Sequence, residues 1–237
     1  MNAATIDRLR AEIARQDIPG NRINYQQFFK EKLKEPTGLK ASVLRGISEA
    51  CFRDIRGLSK PEILKICDEL LAADERYFRF MAFEWALKIR KQYRKSDFPR
   101  FERWLRRHVD NWGACDSLCC GPIGHLVLAS PDLAQRVRKW SSSRSRWLRR
   151  AAAVSLIVPV RNRLLLDAVF KTADLLLLDG DDMVQKGYGW MLKEASNCFP
   201  KEVFAYVIRH KAVMPRTALR YAIEKLPLAM RKKAIAR

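Results

Sequence analysis

Apolar residues recur along this chain at the three- and four-residue spacing of helices, and segments that alternate polar and apolar residues are scarce. From Glu75 to Ile89, the side chains Tyr77, Phe80, Met81, Phe83, Trp85 and Leu87 stand among charges. Residues Trp147 to Ile157 and Met183 to Leu192 also read as helix, rich in Ala, Leu and Met. Pro and Gly fall mostly between these periodic segments. Ser59, Asp97 and Ser130 each lie one or two residues before a Pro, as helix starts do. The pattern predicts roughly twelve helices joined by short turns.

Three of those segments resemble one another. Arg149-Arg150-Ala151-Ala152, Gln185-Lys186-Gly187-Tyr188 and Arg216-Thr217-Ala218-Leu219 each place a basic or polar entry before small residues, with large apolar ones following. Aligned on Ala151, Gly187 and Ala218, they are spaced by 36 and 31 residues. All-helical repeats of that size imply stacked antiparallel helix pairs. The expectation is an all-α fold: an α-solenoid of HEAT-like helix pairs, one domain over residues 1–237. Arg149, Lys186 and Arg216 would then line one concave, basic groove. Ordinary helical packing, with a chance similarity among three short segments, is the alternative.

Charge sharpens the picture. The 237 residues include 46 Lys and Arg against 26 Asp and Glu, a formal net charge of +20, and 48% are hydrophobic, enough for a real core. So large an excess implies a polyanionic partner, of which nucleic acid is the commonest. Charge by itself also suits a ribosomal or membrane-surface protein. Arg136, Arg138, Lys139, Arg144, Arg146, Arg149 and Arg150 fall within fifteen positions that hold no acid, whereas Asp179, Asp181 and Asp182 cluster elsewhere. The expected result is one positive face suited to a duplex backbone. No apolar run approaches the ~20 residues of a membrane span, and the first fifteen residues carry charges rather than a signal peptide's apolar stretch. A cytoplasmic protein is expected, its six cysteines reduced and several of them buried.

Asp116 is the carboxylate of most interest. It follows Trp112 by four residues, so on a helix both project from one face, and its own segment offers it no partner. Trp190 lies in Gly187-Tyr188-Gly189-Trp190, where flanking glycines let another backbone approach. Taken singly, a Trp in a helix is more often core, and a lone Asp more often a cap or half of an ion pair. Cys115, Cys119 and Cys120 with His108 or His125 supply enough metal ligands on paper, but no paired C-x-x-C arrangement accompanies them. Neither a metal nor a cofactor is expected. P-loop, dinucleotide-binding, zinc-protease and nucleophile-elbow motifs are absent from the sequence.

Taken together, Trp112-x-x-x-Asp116-Ser117, Trp147-Leu148-Arg149-Arg150-Ala151-Ala152 and Val184-Gln185-Lys186-x-x-Gly189-Trp190-x-Leu192-Lys193-Glu194 resemble the AlkD family of bacterial DNA alkylation repair glycosylases, in order and approximate separation. A weaker match, Thr37-Gly38-Leu39 leading to Leu44-Arg45, sits where that family has a Gly-containing turn before a basic helix. The resemblance implies HEAT-like repeats and excision of cationic N3- and N7-alkylated purines, such as 3-methyladenine and 7-methylguanine, from double-stranded DNA in the bacterial cytoplasm; a monomer acting along the groove is the default expectation. It also implies that Trp112 and Trp190 flank the lesion's deoxyribose, that Asp116 lies beside the anomeric carbon, and that Arg150 and Lys193 face the DNA backbone.

That chemistry is reasonable for such a site. An alkylated purine is already cationic and leaves as a neutral base, so little acid catalysis is needed. What remains is an oxocarbenium-like sugar and a water to attack it. A carboxylate can stabilise the one and orient the other. The sequence departs from the family around Trp112, where Asn111 and Gly113 replace a Trp-Trp-Asp pattern and thiols are dense from Cys115 to Cys120. A non-catalytic DNA-binding relative that reads DNA shape or branched structure, and a helical scaffold for a protein partner, are the alternatives.

Overall fold

The computed structural model describes residues 2–28, 32 and 35–236. The chain is helical almost throughout and groups into two compact units, Met1–Ile89 and Arg90–Arg237.

The first unit holds α1 (Asn2–Gln16), α2 (Ala41–Ile55), α3 (Lys60–Ala73) and α4 (Phe78–Lys88). Ser59 starts α3 as its position before Pro61 suggests. The Glu62 carboxylate accepts from the Ser59 backbone N–H at 2.8 Å and from its hydroxyl at 2.6 Å, closing the first turn. The aromatic stretch lies on α4, where Trp85 is fully buried and donates its indole N–H to the Ser48 carbonyl and hydroxyl of α2. One feature was not expected: Arg22–Asn24 (β1) and Thr37–Leu39 (β2) pair as an antiparallel ribbon. The Thr37-Gly38-Leu39 match is thus a short strand, too brief to leave an alternating pattern in the sequence.

The second unit holds α5 (Phe98–His108), α6 (Trp112–Leu118), α7 (Gly124–Ala129), α8 (Ala134–Arg138), α9 (Arg146–Val154), α10 (Ile157–Arg161), α11 (Leu166–Leu176), α12 (Asp182–Cys198), α13 (Pro200–His210), α14 (Arg216–Ala222) and α15 (Leu228–Ile235). The three similar segments fall on α9, α12 and α14, and these helices stack on one another in that order. Helices α11 and α13 pack against α12 from between them in sequence, giving the repeated helix pairs of an α-solenoid. Ala151, Gly187 and Ala218 are all buried at the junctions. The stack depends on their size. A Cβ on Gly189 would lie 2.8 Å from the Cβ of Tyr221 and 2.9 Å from the Ala218 carbonyl oxygen. The apolar run from Ala151 to Val160 is the heart of this unit, buried along its whole length. Among the described residues no helix is long and apolar enough to cross a membrane.

Candidate active site

Helix α6 is short and fixed at both ends. Asn111 caps it, its side-chain oxygen accepting from the Ala114 N–H at 2.9 Å. Gly113 suits that cap, because a Cβ there would come within 3.3 Å of the capping oxygen. After Leu118 the chain makes a π-helical turn, Cys119–Ile123, with Gly121 at a non-helical ψ of −114° and Pro122 inside it. Between these ends, Trp112 and Asp116 lie one turn apart on one side of the helix, both half-buried, while Cys115 is fully buried.

The thiols of this segment serve packing. Cys115 donates to the Trp147 carbonyl at 3.6 Å, and burial pushes both the Cys115 and Cys120 thiols far up, so they stay protonated. All six cysteines are free. Among the described residues no three His, Cys, Asp or Glu side chains gather as metal ligands.

Asp116 has the partner that its own helix could not supply. Arg150 on α9 donates from Nε to Oδ1 at 2.9 Å and from Nη2 to Oδ2 at 2.8 Å, a two-point fork. Its third donor, Nη1, reaches the Met183 carbonyl in the first turn of α12 at 2.6 Å. Space for this arginine comes from Gly187, whose missing Cβ would sit 3.0 Å from the Arg150 Cγ. One guanidinium therefore ties α6, α9 and α12 together. Its side chain is 7% exposed, while Asp116 keeps 18% of its side-chain surface open. Burial raises the Asp116 carboxyl above its ordinary range, against the pull of Arg150. The result is a fixed, partly dehydrated carboxylate that keeps some contact with solvent.

This placement changes the role expected of Arg150. Its donors turn inward to Asp116 and Met183 rather than outward to a phosphate, because a half-buried carboxylate without a counter-ion would cost several kcal/mol, of order 3–5. Arg149, one residue earlier, holds Asp179 through Nε at 2.6 Å and also donates to the Ser143 and Arg144 carbonyls. Arg146 pairs with Asp181 at 2.8 Å. The acid-free run of basic residues is thus met by acids about thirty residues on, one repeat away, and the charge separation read from the sequence is smaller in the fold. Lys186 pairs with Asp182 at 2.8 Å, and Lys193 pairs with Glu224 at 3.2 Å while lying over the Tyr221 ring. Arg216 begins α14 and is exposed.

Trp190 lies half-buried on α12, one turn beyond Gly187 and Lys186. Its indole N–H donates to Glu194 at 2.8 Å, and Glu194 in turn accepts from Arg161 of α10 at 2.9 Å. Neither Glu194 nor Arg161 was assigned a role from the sequence. The four-residue spacing from Trp190 to Glu194 was the available signal; nothing in the sequence pointed to Arg161.

The site thus combines stacked helix pairs, a carboxylate held by a buried arginine, and half-buried tryptophans on α6 and α12. The sequence profile of the family described as DNA alkylation repair enzyme matches residues 9–226, and the chain belongs to that family. A solved structure, a predicted DNA alkylation repair enzyme from Enterococcus faecalis, is similar with a TM-score of 0.71 and 17% identity, covering 81% of this chain and 88% of its own. That likeness shows the all-helical fold. No curated protein matches the sequence.

Proposed function

We propose that the protein is a monofunctional DNA glycosylase that hydrolyses the N-glycosidic bond of cationic N3- and N7-alkylated purines. The observation that carries this reading is the Asp116–Arg150 fork: a carboxylate held by two hydrogen bonds and partly dehydrated, with 18% of its side-chain surface exposed. As the bond to the alkylated base lengthens, positive charge builds on the sugar. A preorganised carboxylate stabilises that charge without reorganising, and its remaining lone pairs orient the attacking water. Arg150 keeps the carboxylate in place. Trp112 and Trp190 would offer aromatic faces to the sugar, each contributing roughly 0.5–2 kcal/mol toward a cation. The neutral purine then departs without an acid. The reading needs no metal or cofactor and no lysine nucleophile.

Double-stranded DNA would lie along a basic groove, acted on by a monomer in the cytoplasm. Arg149, Lys186, Lys193 and Arg216 are the residues proposed to meet its phosphates, three of them exchanging an acidic side chain for a phosphate oxygen. The test is single-turnover release of 7-methylguanine from a defined duplex, comparing wild type with Asp116→Asn at matched DNA affinity. The variant is expected to be slower by roughly 10²–10³-fold, the usual loss for a group that stabilises transition-state charge. If neither protein releases an alkylated base while both bind DNA, the chain is a binding module built on this fold.

A further inference from the structure

Trp190 and Glu194 stand one helical turn apart on α12, on the same side. The Trp190 N–H donates to one Glu194 oxygen at 2.8 Å. The other oxygen accepts from Arg161 Nε at 2.9 Å and from Asn197 Nδ2 at 3.3 Å. The Glu194 side chain is only 13% exposed, a surrounding that would push its carboxyl up, yet the hydrogen bonds from Arg161 and Trp190 outweigh burial and hold it below its ordinary range. It is therefore charged at neutral pH.

Two physical effects follow for the indole. A charge-assisted hydrogen bond to a caged acceptor fixes the plane of the ring. An N–H that donates to an anion also leaves its ring richer in electrons, which strengthens the negative face that a cation meets. Arg161 offsets the carboxylate's charge at a distance, so the effect on the site passes through the ring.

We propose that Glu194 is a positioning residue for Trp190, fixing its indole plane and keeping it electron-rich so that the site selects a positively charged sugar over a neutral one of the same shape. The inference rests on the glycosylase reading and concerns binding, which can be measured without turnover. The probes are two duplexes, one carrying a cationic pyrrolidine abasic analogue and one carrying the neutral tetrahydrofuran analogue. Wild type is expected to prefer the pyrrolidine duplex. In Glu194→Gln, which keeps an acceptor but removes its charge, that preference is expected to fall roughly three- to tenfold while tetrahydrofuran affinity stays unchanged. In a Trp190→Phe background, which has no N–H to polarise, Glu194→Gln is expected to have no further effect.

A preference untouched by Glu194→Gln overturns the inference and leaves the glycosylase reading standing. An equal loss in the Trp190→Phe background also overturns it, because Glu194 would then act directly on the ligand. A wild type with no preference for the cation removes the glycosylase reading and the inference with it.

Discussion

Arg149 and Arg150 follow one another on α9, and the helix turns their side chains about 100° apart. Arg149 stays at the edge of the stack, holding Asp179 and two backbone carbonyls near the start of its helix. Arg150 goes inward, loses nearly all contact with water, and spends its donors on Asp116 and Met183. The same residue type thus does two different jobs one position apart. Arg149 keeps 21% of its side-chain surface open against 7% for Arg150, so of the two it is the one that can reach a phosphate, at the cost of leaving Asp179, 9% exposed, without its partner. In the interior the trade is closed, since separating the pair leaves a buried charge behind.

The largest expected break in this comparison is Arg150→Met. It keeps much of the volume but strands the Asp116 carboxylate, and urea unfolding is expected to show a loss of about 3–5 kcal/mol at neutral pH. The pH dependence has a definite sign. Without its counter-ion, Asp116 has a folded pKa further above its unfolded value, so the penalty is present above the folded pKa and fades as pH falls toward the unfolded one. A loss that does not shrink in acid would mean the damage is packing alone.

The wild-type rate carries the next effect. In the proposed reaction Asp116 acts as the carboxylate, and its pKa is raised in the fold. The acid limb of the single-turnover rate is therefore expected above the ~3.9 of an unperturbed aspartate, falling tenfold per unit below it. A limb at or below that value would contradict the dehydrated setting assigned to this carboxylate.

Asp179→Asn probes the edge and is the smallest. Freeing Arg149 is expected to cost about 1–2 kcal/mol, between the exposed and buried limits. DNA affinity should rise, because Arg149 no longer has to give up an acid to reach its phosphate, while the log–log salt slope stays about the same. Anisotropy titrations across a salt series measure both. An unchanged affinity would remove Arg149 from the DNA-facing set.

Local signals carried much of this molecule. The helical period placed α4, α9 and α12, the four-residue interval put Trp112 and Asp116 on one side of a single helix, and small residues at repeat spacing marked where helices touch. What stayed hidden was long-range. Arg150 reads in sequence as one more member of a basic run, and only the pairing of helices more than thirty residues apart brings Asp116 and Gly187 to it. Asp179 and Asp181 looked segregated from Arg146 and Arg149 because sequence distance hides adjacency between neighbouring repeats. The two-residue-period ribbon was too short to register, and the π-helical turn after α6 needs a backbone conformation that Gly121 and Pro122 permit but do not announce.

Gly187 has no side chain with which to meet a ligand, yet it sets the order in which the site tolerates substitution. A side chain there crowds Arg150, loss of Arg150 strands Asp116, and loss of Asp116 leaves a buried guanidinium unanswered. Each single step costs stability, while replacing the acid and the arginine together leaves no buried charge behind. The pair therefore has to go before the glycine can be enlarged, and a bulky residue at position 187 in a relative implies that its Asp116–Arg150 pair is already gone.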